Sequence, residues 1–217
     1  MIGLLGGTFD PIHRGHLDVA HAALHALSLD KVLLIPSRTP PHRHAPQAKN
    51  AHRLAMVRVA IADAPGLEVS TIELDAAGPS YTSATLDRFA QSGVYTHTLC
   101  FITGADAFAE IPTWHQYPDL LDRCHFAAVT RPGMLVEQLR TRLPRLASRM
   151  ISVSANQPYA TSSQASIFLI DAQTAPVSST EVRALIARGA SVKGLVPDAV
   201  AAYIGAHRLY HTEAHGH

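Results

Sequence analysis

The sequence predicts a doubly wound α/β fold, a mainly parallel sheet with helices on both faces and a small C-terminal helical extension. Two features predict it: short β-branched or leucine-rich runs recur along the chain, and segments with helical apolar spacing separate them. A third is the string GGTFDPIHRGH, residues 6–16. It follows the first apolar run, at the strand-to-helix turn where such sheets bind ligands.

The runs that read as buried strands are IGLLGG, KVLLIPS, LEVSTIEL, TLCFITG, HFAAVTR and SIFLID. Between the first two, Leu17, Ala20, Leu24 and Leu27 recur at helical spacing, which predicts the first helix. The segments NAHRLAMVRVAIADA, SYTSATLDRFAQSG and GMLVEQLRTRLPRL have the same character. MISVSANQPYATSSQAS is polar and turn-rich and predicts a loop. VSSTEVRALIARG and LVPDAVAAYIGAHRL then predict two closing helices, and the helical part spans about 178–210 of a single domain expected over 1–217.

Composition narrows the function classes. The 217 residues are 47% hydrophobic, enough for a sizeable core, and 18 basic against 17 acidic residues leave a net charge of +1. No field of one sign points to nucleic acid or membrane as partner, so any bound anion must be held locally. The N-terminus lacks a basic flank, and no run nears the roughly 18 apolar residues of a membrane helix, so a cytoplasmic setting is expected. Cys100 and Cys124 fall in separate strand-like runs without CxxC spacing and are expected to be buried thiols. Among the 14 histidines, HRH at 42–44 and HTEAHGH at the C-terminus are the places to seek a metal. Neither shows four convergent ligands, and no protein-held metal is expected.

The opening string reads as an anion cradle. Gly6 and Gly7 let main-chain amides approach a ligand, Thr8 adds a hydroxyl, and Pro11 fixes the turn. His13 and His16, three residues apart, can share one face of the first helical turn, with Gly15 leaving room. The string matches neither GxxxxGK[ST] nor GxGxxG, so another mode of nucleotide binding is required. The bland reading is that the histidines only cap and fill the turn.

Other motifs point the same way. Ser178 with Glu181 three residues on is a capping-box pattern that leaves helix-start amides for phosphate, and Arg183 adds a planar guanidinium. Gly104 opens another strand end, where the Asp106 carboxylate suits ribose hydroxyls. Trp114 offers a stacking face or fills core, and Thr82 falls in the first turn of its helix. Arg43 and Arg131 are candidates for phosphate contact or plain surface arginines.

With these residues in view, the chain resembles the HxGH nucleotidylyltransferases, and among them the bacterial nicotinate-nucleotide adenylyltransferases. GGTFDPIHRGH matches their opening motif, and PSRTPPHR, PSYTSATL, FITGADAFAEIPTWHQY, VTRPG, VSSTEVR and LVPDAVAAYI follow in family order. The resemblance lapses over about 134–166. It implies a Rossmann-like nucleotidylyltransferase fold and transfer of the adenylyl group of ATP, carried with Mg²⁺, to nicotinic acid mononucleotide. It implies that His13, His16 and Arg183 are catalytic, and that Gly6, Gly7, Thr8, Phe9, Gly104, Asp106, Ser179 and Thr180 hold ATP. It assigns Arg43, Thr82, Trp114, His115 and Arg131 to the pyridine nucleotide, with the amides of Thr82 and His115 on its carboxylate. Nicotinamide mononucleotide, phosphopantetheine and a nucleotide sensor without turnover stay open as alternatives, although PTW and SYTxxTL argue against phosphopantetheine.

Overall fold

Alternating side chains of the first apolar run part to opposite sides: Leu4 enters the hydrophobic core on one face of a sheet and Leu5 the core on the other. That run is β1 (Ile2–Gly7) in the computed structural model, which describes residues 1–40, 45–153 and 165–211. From β1 the chain passes through α1 (Arg14–Ala26) to β2 (Lys31–Pro36), then through α2 (Asn50–Ala60) to β3 (Leu67–Val69). It returns through α3 (Thr82–Gln91) to β4 (Leu99–Gly104) on the other side of β1. A short helix α4 (Ala105–Phe108), β5 (His125–Val129), α5 (Gln138–Arg142), β6 (Met150–Val153) and β7 (Ile167–Ile170) follow. All pairings are parallel in the order β3-β2-β1-β4-β5-β7-β6. The chain therefore reverses its winding between β1 and β4, and the crevice at their C-terminal ends is the topological switch point.

The two faces are covered by different helices. Val19 and Ala23 of α1, Met56 and Val57 of α2, Val182 and Ile186 of α6 (Ser179–Ala187) and Val200 and Ile204 of α7 (Asp198–Ala206) share one core. Leu86 and Phe89 of α3, Phe108 of α4 and Leu139 of α5 share the other. The C-terminal helices thus bury their apolar stripes against the same sheet. Both cysteines are buried free thiols, and burial pushes that of Cys124 up to about 12. No helix among the described residues is long and apolar enough to cross a membrane.

The doubly wound class is observed, with three local departures from the expected elements. LEVSTIEL forms a strand only over Leu67–Val69. Beyond it the chain turns, and the buried Glu73 carboxylate accepts from Thr85 Oγ1 of α3 at 2.7 Å. Burial raises the Glu73 pKa. GMLVEQLRTRLPRL splits into α5 and a 3₁₀ turn, Pro144–Arg149, because Pro144 has no N–H for the helical ladder and its ring clashes with the preceding turn. Met150–Val153, read as the start of a loop, is the edge strand β6, too short for its pattern to stand out from the polar residues after it.

Candidate functional site

At the C-terminal end of β1 the chain must leave the sheet sharply, and the side chains of GGTFDPIHRGH make that turn. Phe9 is buried at φ 48°, a left-handed conformation that a bulky residue adopts only when its surroundings fix it. Its ring lies so close to Gly7 that a Cβ there would come within 2.8 Å, and it meets the His16 ring edge-on at 5.0 Å. The Phe9 side chain therefore backs the turn from within the core, which leaves only its main chain available to a ligand.

His13 caps the start of α1 and His16 lies in its first turn, the two rings stacked at 3.6 Å and 25°. The main-chain N–H of His13 donates to His16 Nδ1 at 3.3 Å, which places the proton of a neutral His16 ring on Nε2 as a donor. His13 is buried, and burial first, then the Arg131 guanidinium, lowers its pKa to about 3. It stands in the site as a neutral imidazole with one N–H donor. Gly15 gives Arg131 its place: a Cβ there would lie 2.9 Å from Arg131 Nη1 and 3.0 Å from the Ala175 carbonyl oxygen. Gly104 does the same at the end of β4, where a Cβ would lie 2.5 Å from Asp106 Oδ1 and 2.8 Å from Arg131 Cγ. Arg131 thus packs among His13, Gly15 and Gly104, beside the exposed Asp106, and its Nη2 donates to the Val177 carbonyl at 3.4 Å.

The start of α6 docks on the same turn. Ser178 Oγ accepts from the Glu181 N–H at 3.1 Å, the cap expected from the sequence. Ser179 Oγ donates to the Pro11 carbonyl at 2.9 Å, Arg183 Nη1 to the Asp10 carbonyl at 2.7 Å, and Arg183 Nη2 to Thr180 Oγ1 at 3.3 Å. Segments more than 160 residues apart in sequence, with separations of 168 and 173 for the Pro11 and Asp10 bonds, so form one surface, whose helix-start amides and guanidinium could hold an anion.

The remaining candidates gather at the start of α3. Thr82 is the first residue of that helix, so its N–H has no intrahelical partner. The next residue, Ser83, hydrogen-bonds through Oγ to His115 Nδ1 at 2.9 Å, and the His115 ring stacks on Tyr81 at 4.4 Å. Half-buried Trp114 meets Phe101 edge to face at 5.8 Å. The Phe101 ring in turn approaches Gly6, whose Cβ would lie 3.3 Å from it, so this corner adjoins the glycine turn. A cavity of about 550 Å³ opens past the ends of β5 and β7, lined by Thr130, Arg131, Asp171 and Thr174 among others.

A profile of the cytidylyltransferase-like family matches residues 4–185, from β1 into α6. The chain belongs to this family. A Roseiflexus protein described as a probable nicotinate-nucleotide adenylyltransferase is 42% identical over 212 residues, covering 96% of this chain and 97% of its own. One from Pseudomonas fluorescens with the same description is 42% identical over 210 residues, covering 96% of each chain. The fold is shared with a Plasmodium falciparum nicotinic acid mononucleotide adenylyltransferase complexed with NaAD, at a TM-score of 0.72, 18% identity and 96% coverage of both chains.

In this member of the family three buried or half-buried polar residues of the site carried no role in the sequence reading. The Asp10 carboxylate accepts from the N–H groups of Gln47 and Ala48 at 2.8 and 3.0 Å and from the Tyr210 hydroxyl at 2.8 Å. Arg53, fully buried, donates to the carbonyls of Thr8 and Ser37, each at 2.5 Å, and to Asn50 Oδ1 at 2.6 Å. Its signal was present in the sequence: Arg53 shares a helix face with Met56 and Val57, where a cation is out of pattern. Arg43, the HRH histidines and residues 212–217 of the tail lie outside the described residues. Among the described residues no group of three or more His, Cys, Asp or Glu side chains converges as a metal site.

The depressed His13 pKa gives a pH-dependent stability of known sign. An unfolded His13 takes up a proton as pH falls below about 6.5, while the native one resists until about 3. The native state therefore loses stability as pH falls through that window, by up to about 1.4 kcal/mol per pH unit from this residue. Urea unfolding at pH 7, 6 and 5 should show a smaller loss for His13→Asn than for the wild type, and an identical loss would contradict the burial of a neutral ring.

Proposed function

We propose that the protein transfers the adenylyl group of ATP to nicotinic acid mononucleotide, giving nicotinic acid adenine dinucleotide and pyrophosphate, a step in NAD biosynthesis. The observation that carries this reading is the docking of α6 on the opening motif, through Ser179 to Pro11 and Arg183 to Asp10, at the switch point of the sheet. That union supplies helix-start amides, a guanidinium and two imidazoles over one turn, which suits a polyphosphate. The 42% identity to proteins described as probable nicotinate-nucleotide adenylyltransferases, along nearly the whole chain, supports the choice of acceptor. The C-terminal helices share a core with the sheet, which supports treating 1–217 as one domain. Buried free thiols suit the cytoplasmic setting we keep for it.

The nucleophile in this reaction is a phosphate oxygen of the mononucleotide, ionised at neutral pH, so the site needs no general base. A bond forms from that oxygen to the α-phosphorus of ATP, the bond from the α-phosphorus to the bridging oxygen breaks, and pyrophosphate leaves. Mg²⁺ enters and leaves with the phosphates as part of the substrate, which fits a cation that prefers phosphate and water oxygens to an all-protein cage. The protein aligns two anions that repel each other and stabilises charge spreading at the α-phosphate.

In this assignment Gly6, Gly7, Thr8 and the main chain of Phe9 border the triphosphate, His13 and His16 donate to it in flight, and Ser179, Thr180 and Arg183 hold its β and γ groups. Gly104 and Asp106 take the ribose, and the cavity past β5 and β7 has room for the adenine. Arg131 was expected on the pyridine nucleotide; its packing against His13, Gly15 and Gly104 supports a place on the ATP side. Trp114 stacks on the pyridine ring, Arg43 contacts the mononucleotide, and the amides of Thr82 and His115 hold its carboxylate. Two main-chain N–H donors suit a carboxylate, which only accepts, better than a carboxamide, whose NH₂ must also find an acceptor.

Pyrophosphate release from Mg·ATP should be fast with nicotinic acid mononucleotide and slow with nicotinamide mononucleotide, phosphopantetheine or no acceptor. Equal use of the amide would sink the carboxylate site, and turnover with phosphopantetheine alone would sink the acceptor assignment. His16→Ala should lower kcat/KM at least about a hundredfold, roughly 2.7 kcal/mol of transition-state stabilisation. A folded variant turning over at the wild-type rate would remove His16 from the chemistry.

A further inference from the structure

The last described residues of the chain return to the phosphate turn. After α7, Arg208 and Tyr210 adopt φ values of 49° and 65°, left-handed conformations that a non-glycine residue adopts when its surroundings fix them. This path brings the Tyr210 hydroxyl to Asp10 Oδ1 at 2.8 Å, a contact spanning 200 residues of sequence. Tyr210 and Arg183 line one hollow of about 250 Å³, together with Gln47 and Thr180.

The charges in this corner compete. Asp10 is buried at 3% exposure, so its carboxylate oxygens need donors. The amides of Gln47 and Ala48 and the Tyr210 hydroxyl supply them. Two cations adjoin it. Arg53 is committed to the carbonyls of Thr8 and Ser37 and to Asn50. Arg183 stands 3.9 Å from Asp10 Oδ2, close enough to be drawn in, yet beyond hydrogen-bonding distance. Its bonds go instead to the Asp10 carbonyl and Thr180, in a guanidinium with five donors.

We infer that Tyr210 is a positioning residue for ATP: its hydroxyl satisfies the Asp10 carboxylate and so keeps Arg183 turned to the hollow, for the terminal phosphates, rather than closed onto Asp10. Without that hydroxyl, Asp10 Oδ1 retains one donor, the Ala48 N–H, and the Arg183 guanidinium beside the carboxylate moves in to compensate. The inference rests on the ATP reading given above and adds to it a residue outside the nucleotide motifs.

The test is a binding titration of full-length wild type, Tyr210→Phe and Tyr203→Phe with Mg·ATP and with AMP, alongside thermal unfolding. Phenylalanine keeps the ring and removes only the hydroxyl. Tyr203 bonds to His52 Nδ1 at 3.0 Å on α7, so its variant controls for a general loosening of the C-terminal segment. Tyr210→Phe should weaken Mg·ATP binding about tenfold, the scale of one hydrogen bond to a charged group, and leave AMP binding as in the wild type. Tyr203→Phe should bind both like the wild type. Equal weakening of ATP and AMP by Tyr210→Phe, or the same ATP loss in Tyr203→Phe, would make the contact merely structural and overturn the proposal. Wild-type ATP affinity in Tyr210→Phe would overturn it while leaving the ATP reading intact; a wild type that binds neither nucleotide would overturn both.

Discussion

A carboxylate buried at the strand-to-helix turn after β1 is the constraint on which this site depends. Asp10 follows the glycine turn of β1, and in the interior its charge is tolerable only with hydrogen bonds and a compensating cation close by. The amides of Gln47 and Ala48 and the Tyr210 hydroxyl after α7 supply the bonds, and the guanidiniums of Arg53 on α2 and Arg183 on α6 stand close by as cations. Each comes from an element that packs on the same face of the sheet as α1. Satisfying Asp10 therefore also gathers the segments that would meet a polyphosphate.

Arg53 extends this logic to the main chain. By bonding the carbonyls of Thr8 and Ser37 it ties the turn after β1 to the turn after β2 and engages both carbonyl oxygens. With a net charge of +1 the molecule has no broad field to attract an anion. On the function proposed above, local arrangement does so: helix-start amides, the imidazoles of His13 and His16, and the guanidiniums of Arg131 and Arg183. The corner proposed for the pyridine ring is built separately, from the start of α3 pinned to His115 by Ser83 and Tyr81. It meets the cradle where Phe101 packs between Trp114 and Gly6.

Residues that act through local backbone chemistry could be read from the sequence. At Gly7, Gly15 and Gly104 any side chain would collide with a neighbour, at Gly6 it would crowd the Phe101 ring, and a strand-to-helix glycine announces such a place. Ser178 with Glu181 announced its cap. What stayed hidden acts over long separations. Tyr210 lies past the last helical pattern, and only the packing of α7 against α2 brings it back to Asp10. Arg53 was visible as a cation on an apolar face, but its partners belong to other turns. Strand β6 escaped because four edge residues carry little periodicity, and its place beyond β7 is not set by chain order. Arg131 was read from its motif but not from its surroundings, which only the junction of α1, β4 and β5 defines.

Buried Arg53, bonded to the Thr8 and Ser37 carbonyls beside Asp10, shapes the proposed ATP cradle, and Arg53→Met tests this most directly because methionine fills much of the space without the charge or donors. Urea unfolding and Mg·ATP titration of this variant should show a stability loss of about 2–4 kcal/mol, as for the carbonyls of Thr8 and Ser37 left without their donor, and weaker ATP binding in the folded fraction. A variant with wild-type stability and wild-type ATP affinity would contradict the account.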